Sequence, residues 1–120
     1  MAVVEKRVLV VDDNAAIRRL LRRILTMAGW QVTVVGTCKE ARDAFTAGSF
    51  AAAFVDVNLL DADGIALARG FLEQEPRLRV RMMSGAHENA ERVKDAGLGP
   101  LLEKRFSVEE AAGSLPGGRG

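Results

Sequence analysis

The chain contains 120 residues, 48% of them hydrophobic, and its formal net charge is +1. This length and composition predict one globular domain with its own core, and the near-zero charge argues against a general binder of nucleic acids or acidic lipids. The single cysteine, Cys38, permits no internal disulfide. The N-terminus lacks a signal-peptide pattern, and no apolar run approaches the roughly 20 residues that span a bilayer. We therefore expect a soluble, cytoplasmic domain that binds neither nucleic acid nor a membrane directly.

Short apolar runs alternate with stretches of helical periodicity, a pattern that predicts a parallel sheet covered by helices on both faces. In chain order the predicted elements are strand 8–11, a helix with apolar positions from 17 to 28, strand 31–35, a helix from 37 to about 48, a strand leading to 56, a helix from near 64 that stops before 76, strand 78–83, helix 87–96, strand 101–103 and a short helix from 107. Gly29 is placed as a C-terminal cap, and Thr37 and Glu40 have the spacing of a capping box.

Four of the predicted strands lead into a chemically reactive side chain. The first runs into Asp12 and Asp13, the third into Asp56, the fourth into Ser84, and the fifth is followed by Lys104. The carboxyl ends of parallel strands meet at one edge of the sheet, and ligands of open α/β sheets bind at that edge. We therefore expect three carboxylates, a hydroxyl and an ammonium group to converge there.

This combination suits the transfer of a phosphoryl group onto a carboxylate. A carboxylate and a phosphorylated donor repel each other, and a divalent metal between them removes that repulsion. Carboxylate oxygens are ligands that Mg²⁺ prefers, while Lys104 and Ser84 can contact phosphoryl oxygens. Each residue alone also has an ordinary interpretation, since residues 12–14 could simply cap the following helix and Ser84 could belong to a turn. Because all these groups are predicted to meet at one sheet edge, a phosphoryl-transfer site is favoured over these separate interpretations.

The sequence resembles the receiver domain of bacterial response regulators over about residues 5 to 112. The motifs that carry the resemblance are 8–14 (VLVVDDN), 56–64 (DVNLLDADG), 83–85 (MSG) and 104–106 (KRF). The resemblance implies a flavodoxin-like, CheY-like α/β fold with a doubly wound five-stranded parallel sheet of order 2-1-3-4-5, here with a short last helix. Residues 113–120 form a tail rich in glycine and proline that we expect to be disordered.

The resemblance also implies a role for each site residue. Asp56 would accept a phosphoryl group from a histidine kinase or a histidine phosphotransfer protein, and a downstream protein partner would read the modification. The implied ligands of Mg²⁺, or of Mn²⁺ in its place, are Asp12, Asp13, Asp56 and the backbone carbonyl of Asn58. Ser84 and Lys104 would contact the aspartyl phosphate. Such an isolated domain promotes only its own phosphorylation and dephosphorylation and is not an enzyme, although a parent hybrid histidine kinase would be one.

Three positions depart from the family pattern. Leu60 stands where such domains often carry proline, and Arg105 replaces the proline that usually follows the lysine. Leu101 takes the position of the switch tyrosine or phenylalanine, so no aromatic ring can follow the hydroxyl inward on phosphorylation. We therefore expect an atypical readout.

Two other classes of function remain open at this point, a protein-binding module and an enzyme or cofactor-binding protein. A degenerate receiver could act as a phosphorylation-independent protein-binding module. An enzyme of the haloacid-dehalogenase type would need a second aspartate two residues after the nucleophile, where this chain has Asn58. Flavin binding is disfavoured because Asp12 and Asp13 would repel the flavin phosphate.

Overall fold

A parallel β-sheet with helices on both faces is the framework of the molecule. The computed structural model describes residues 6–47, 50–85, 89–98 and 101–103. Its elements are β1 Arg7–Val11, α1 Ala15–Met27, β2 Gln31–Val35, α2 Cys38–Ala47, β3 Ala52–Asp56, α3 Gly64–Gln74, β4 Arg79–Ser84, α4 Asn89–Asp95 and β5 Leu102–Glu103. The five strands pair in parallel in the order β2-β1-β3-β4-β5, as predicted for an α/β fold of this kind. The predicted last helix and the tail 113–120 lie outside the described residues.

The adjacent strands β1 and β3 are buried on both faces because helices cover both sides of the sheet. Side chains alternate along β1: Val8 and Val10 pack on the side of α1, whereas Leu9 and Val11 pack on the opposite side. The β1 residues 8–11 and all of β3 are buried. The apolar runs in the sequence are therefore explained by burial on two faces rather than one.

The helices divide between the two faces according to their apolar stripes. Leu21, Ile24 and Leu25 of α1 are buried in one core cluster, while apolar residues of α2, α3 and α4 join the other. The rings of Phe45 in α2 and Phe71 in α3 stack with their centroids 4.1 Å apart. This contact holds two neighbouring helices together over the same face of the sheet.

The termini of the helices follow the predicted signals, with one correction. Gly29 has a φ of +98°, the left-handed conformation expected of a residue that ends a helix. Thr37 Oγ1 accepts a hydrogen bond from the Glu40 backbone N–H at 3.0 Å, as the capping-box spacing predicts. The Glu40 carboxylate, however, accepts from the N–H of Gly36 at 2.8 Å rather than from that of Thr37. The reciprocal half of the box is thus displaced by one residue.

The boundaries of the later elements shift slightly from the predicted ones. Leu78 donates its backbone N–H to the carbonyl of Glu75 at 3.1 Å, so it belongs to the turn after α3 and β4 begins one residue later. The helix predicted from residue 87 is described from Asn89, because residues 86–88 lie outside the described part of the chain. Among the residues that the structure describes, no helix is long and apolar enough to cross a membrane.

Candidate functional site

Three carboxylates cluster at the carboxyl edge of the sheet. Asp12 and Asp13 follow β1 directly, and Asp56 is the last residue of the adjacent β3. One carboxylate oxygen from each lies within 4.8 Å of the others. Asp12 and Asp56 are buried and Asp13 is half-buried. The structure thus brings together the three acidic residues that the sequence predicted to converge.

Local hydrogen bonds orient two of these carboxylates. Asp12 Oδ1 accepts from the backbone N–H of Asn14 at 2.9 Å, and Asp56 Oδ1 accepts from that of Asn58 at 3.2 Å. The capping role goes to Asn14, whose Oδ1 accepts from the backbone N–H groups of Ala16 and Ile17. The predicted capping by residues 12–14 is therefore confirmed for Asn14, whereas Asp12 bonds the backbone of Asn14 and lies in the acidic cluster.

The donor set fits a hard divalent cation. Mg²⁺ prefers carboxylate oxygens, keeps several waters and needs few protein ligands. Three carboxylates this close repel one another, and a cation among them offsets that repulsion. The three carboxylates could therefore hold a hard divalent cation.

The loop between β3 and α3 folds back against the backbone of Asp56. Gly64 donates its N–H to the carbonyl of Val57 at 2.8 Å. A Cβ at Gly64 would lie 1.8 Å from the backbone oxygen of Asp56, so no side chain fits there. The sequence marked Gly64 only as a helix start, and its contact with Asp56 depends on how the loop closes.

The same loop is anchored to α2 by Asp61. Its Oδ1 accepts from the backbone N–H of Cys38 at 2.9 Å, and its Oδ2 accepts from that of Lys39 at 3.4 Å. The hydrogen bond from Cys38 is the main reason that the pKa of Asp61 lies below its ordinary value of 3.8. No local pattern in the sequence reveals this contact, because Asp61 and Cys38 are 23 residues apart.

Ser84 ends β4 with its hydroxyl buried beside α4. Its Oγ accepts a hydrogen bond from Asn89 Nδ2 at 2.8 Å, and both residues are buried. Nothing local in the sequence distinguishes Asn89 from an ordinary residue near a helix start. Leu101 is half-buried and packs against the core on the α2–α3 side. Lys104, the remaining predicted site residue, lies outside the described residues.

Comparison with known proteins supports one family. Residues 8–115 match the family described as response regulator receiver domain. Response regulator MprA of Mycolicibacterium vanbaalenii is 33% identical over 106 residues, which cover 87% of this chain and 46% of that protein. MprA of Mycobacterium avium shows the same identity and coverage. The chain therefore spans about half the length of the curated relatives it matches.

Solved structures show the same fold. A CheY-like receiver domain protein from Methanospirillum hungatei is 27% identical, with a TM-score of 0.79 and coverage of 88% of this chain and 86% of that one. A Burkholderia pseudomallei response regulator, solved with a phosphorylated aspartic acid, a calcium ion and citrate, is also 27% identical. Its TM-score is 0.82, with coverage of 92% of this chain and 66% of that one. By the extent of the family match and the shared fold, this chain belongs to the response regulator receiver domains of two-component signalling, a family whose isolated domain is not itself an enzyme.

Proposed function

We propose that this domain is a phosphoacceptor switch in which Asp56 receives a phosphoryl group from a phosphohistidine. The observation that carries the proposal is the convergence of three carboxylate oxygens within 4.8 Å at the end of the sheet. The phosphorylated aspartic acid and calcium ion of the Burkholderia pseudomallei relative support it.

The proposed reaction is a direct displacement at phosphorus. A carboxylate oxygen of Asp56 attacks the phosphorus atom, a P–O bond forms, the P–N bond to the histidine breaks, and the departing imidazole nitrogen takes up a proton. Mg²⁺, when bound, supplies positive charge that offsets the repulsion between the carboxylate and the incoming phosphoryl group. The proposed ligands are Asp12, Asp13, Asp56 and the backbone carbonyl of Asn58, and Mn²⁺ is an acceptable substitute.

Two further groups are assigned to the phosphoryl oxygens. Ser84 ends the strand that pairs with β3, and its hydroxyl donates a hydrogen bond to one oxygen. Lys104 directly follows β5, the next strand of the sheet, and its ammonium group neutralises a second oxygen.

The proposed partners are a histidine kinase or a histidine phosphotransfer protein and a downstream protein that reads the modification. Leu101 is aliphatic and already packs against the core, which supports a readout without a switch ring. We further propose that the domain extends over 5–112, that 113–120 form a tail, and that the domain works in the cytoplasm.

The test is intact-mass measurement after incubation with acetyl phosphate, with and without Mg²⁺. We expect a Mg²⁺-dependent phosphoryl adduct that is lost in Asp56→Asn and kept in Asp43→Asn, a matched control that removes an exposed carboxylate on α2. No adduct on a folded chain that binds Mg²⁺ would overturn the proposal. That outcome would favour the degenerate receiver as a binding module, the alternative that Leu101 at the switch position supports.

A further inference from the structure

A buried hydrogen bond connects the phosphate-site hydroxyl to α4. Asn89 is the first described residue of α4 and is 7% exposed, and its Nδ2 donates to Ser84 Oγ at 2.8 Å. Ser84 is 1% exposed. Burying an amide costs free energy unless it is hydrogen-bonded, so this contact holds both side chains in defined positions.

The direction of this hydrogen bond determines where the hydroxyl proton can point. An amide nitrogen only donates, whereas a serine hydroxyl has one proton to donate and two lone pairs that accept. At the Asn89 contact Ser84 is the acceptor, and its proton is directed away from Asn89. The Asn89 contact thus leaves the hydroxyl proton of Ser84 to a partner other than Asn89.

Two other residues of α4, Val93 and Arg92, make contacts outside the helix. Val93, one turn further along the helix, is fully buried in the core. Arg92 Nη2 lies 3.1 Å from Asp63 Oδ2, and the other oxygen of Asp63 accepts from the backbone N–H of Ile65 to cap α3. The helix that carries Asn89 is therefore fixed to the core and to the loop that follows Asp56.

We propose that Asn89 is a positioning residue that directs the Ser84 proton toward the phosphoryl group on Asp56. This inference rests on the proposed function, because it concerns the same transfer reaction. Asn89 does not touch the phosphoryl group and acts through the Ser84 hydroxyl.

Two substitutions test the direction of the hydrogen bond. Asn89→Asp replaces the donor by a carboxylate that only accepts, so the Ser84 proton turns toward position 89. Asn89→Leu removes the hydrogen bond without adding charge. In both variants we expect the rate of Asp56 phosphorylation by acetyl phosphate to fall roughly 3- to 10-fold, the equivalent of one net hydrogen bond. Calorimetry should show an unchanged Mg²⁺ affinity for Asn89→Leu, because no metal ligand is altered.

The same substitutions in a Ser84→Ala background separate positioning from other effects. If Asn89 acts through the hydroxyl, neither substitution lowers the rate further once the hydroxyl is gone. A reduction that persists in this background would reflect added charge or lost packing and would overturn the inference. Ala90→Asp, which adds the same charge at the exposed neighbouring position of α4, is the matched control and should leave the rate unchanged.

The parent chain provides a readout that does not depend on a buried substitution. The side-chain amide protons of Asn89, followed by NMR, should shift when Asp56 is phosphorylated, because the hydroxyl they contact gains a new acceptor. Unshifted resonances, or Asn89 variants that react at the parent rate, would overturn the inference about Asn89 and leave the proposed function standing. Absence of phosphorylation in the parent chain overturns the proposed function and this inference with it.

Discussion

At the scale of single residues, Gly64 is the position with the least room for change. A methyl group there would overlap the backbone oxygen of Asp56, and the nearby atoms belong to the backbone, so none can move aside as a flexible side chain would. We expect Gly64→Ala to lower the free energy of unfolding by about 3 kcal/mol or more, at or beyond the upper end of ordinary overpacking costs. Urea denaturation of the two chains measures this difference.

Gly70 in the same helix is the matched control for that prediction. A Cβ at Gly70 would meet no atom within 4 Å. Alanine has the higher helix propensity, so Gly70→Ala should raise stability by roughly 0.5–1 kcal/mol. If Gly64→Ala and Gly70→Ala lowered the free energy of unfolding equally, the explanation based on the Asp56 contact would be contradicted.

Asp61 makes a pH-dependent contribution to stability. Its lowered pKa means that the folded state favours the carboxylate, so the stabilisation is full above the ordinary value of 3.8 and is lost as the pH falls through the lower folded value. We expect Asp61→Ala to lower the melting temperature at pH 7 and to lower it less at pH 3. A difference that stays constant between these pH values would show that the charge of Asp61 does not contribute.

At the scale of whole elements, the start of α1 depends on Asn14. Its side chain accepts from two backbone N–H groups, at 2.8 and 3.3 Å, that have no partner within the helix. Asn14→Ala should therefore cost about 1 kcal/mol in the free energy of unfolding, whereas Asn14→Ser keeps a capping oxygen and should cost much less. Chemical denaturation compares the two variants with the parent chain.

At the scale of the whole molecule, the acidic cluster opposes folding until a cation binds. Three carboxylate oxygens within 4.8 Å repel one another, so Asp13→Asn should raise the melting temperature without Mg²⁺. In the parent chain, Mg²⁺ at about 100 times its dissociation constant should add about 2.7 kcal/mol, because it binds only the folded state. In the Asp13→Asn variant, most of this stabilisation by Mg²⁺ should be absent. If Mg²⁺ does not change the melting temperature of the parent chain, the result would contradict a metal site at these residues.

Several properties could be predicted from the sequence because they depend on local patterns. Hydrophobic periodicity distinguishes strands from helices, and residues such as Gly29 and Thr37 mark where helices end or begin. The rule that parallel strands share a carboxyl edge then placed Asp12 and Asp56 at the same edge of the sheet. The strand order itself came from the resemblance to a known family, and the described structure has that order.

Other properties depend on contacts between segments that are distant in the chain. The contacts of Asp61 with α2, of Gly64 with the backbone of Asp56 and of Asn89 with Ser84 join residues that no periodic pattern relates. They arise after the helices dock on the sheet, when loops and helix ends come within hydrogen-bonding distance of one another. Local patterns were thus enough to establish the fold class and the acidic residues of the site. The packing of loops against helices decided how those residues are held, because hydrogen bonds between distant segments depend on distances that only the assembled sheet defines.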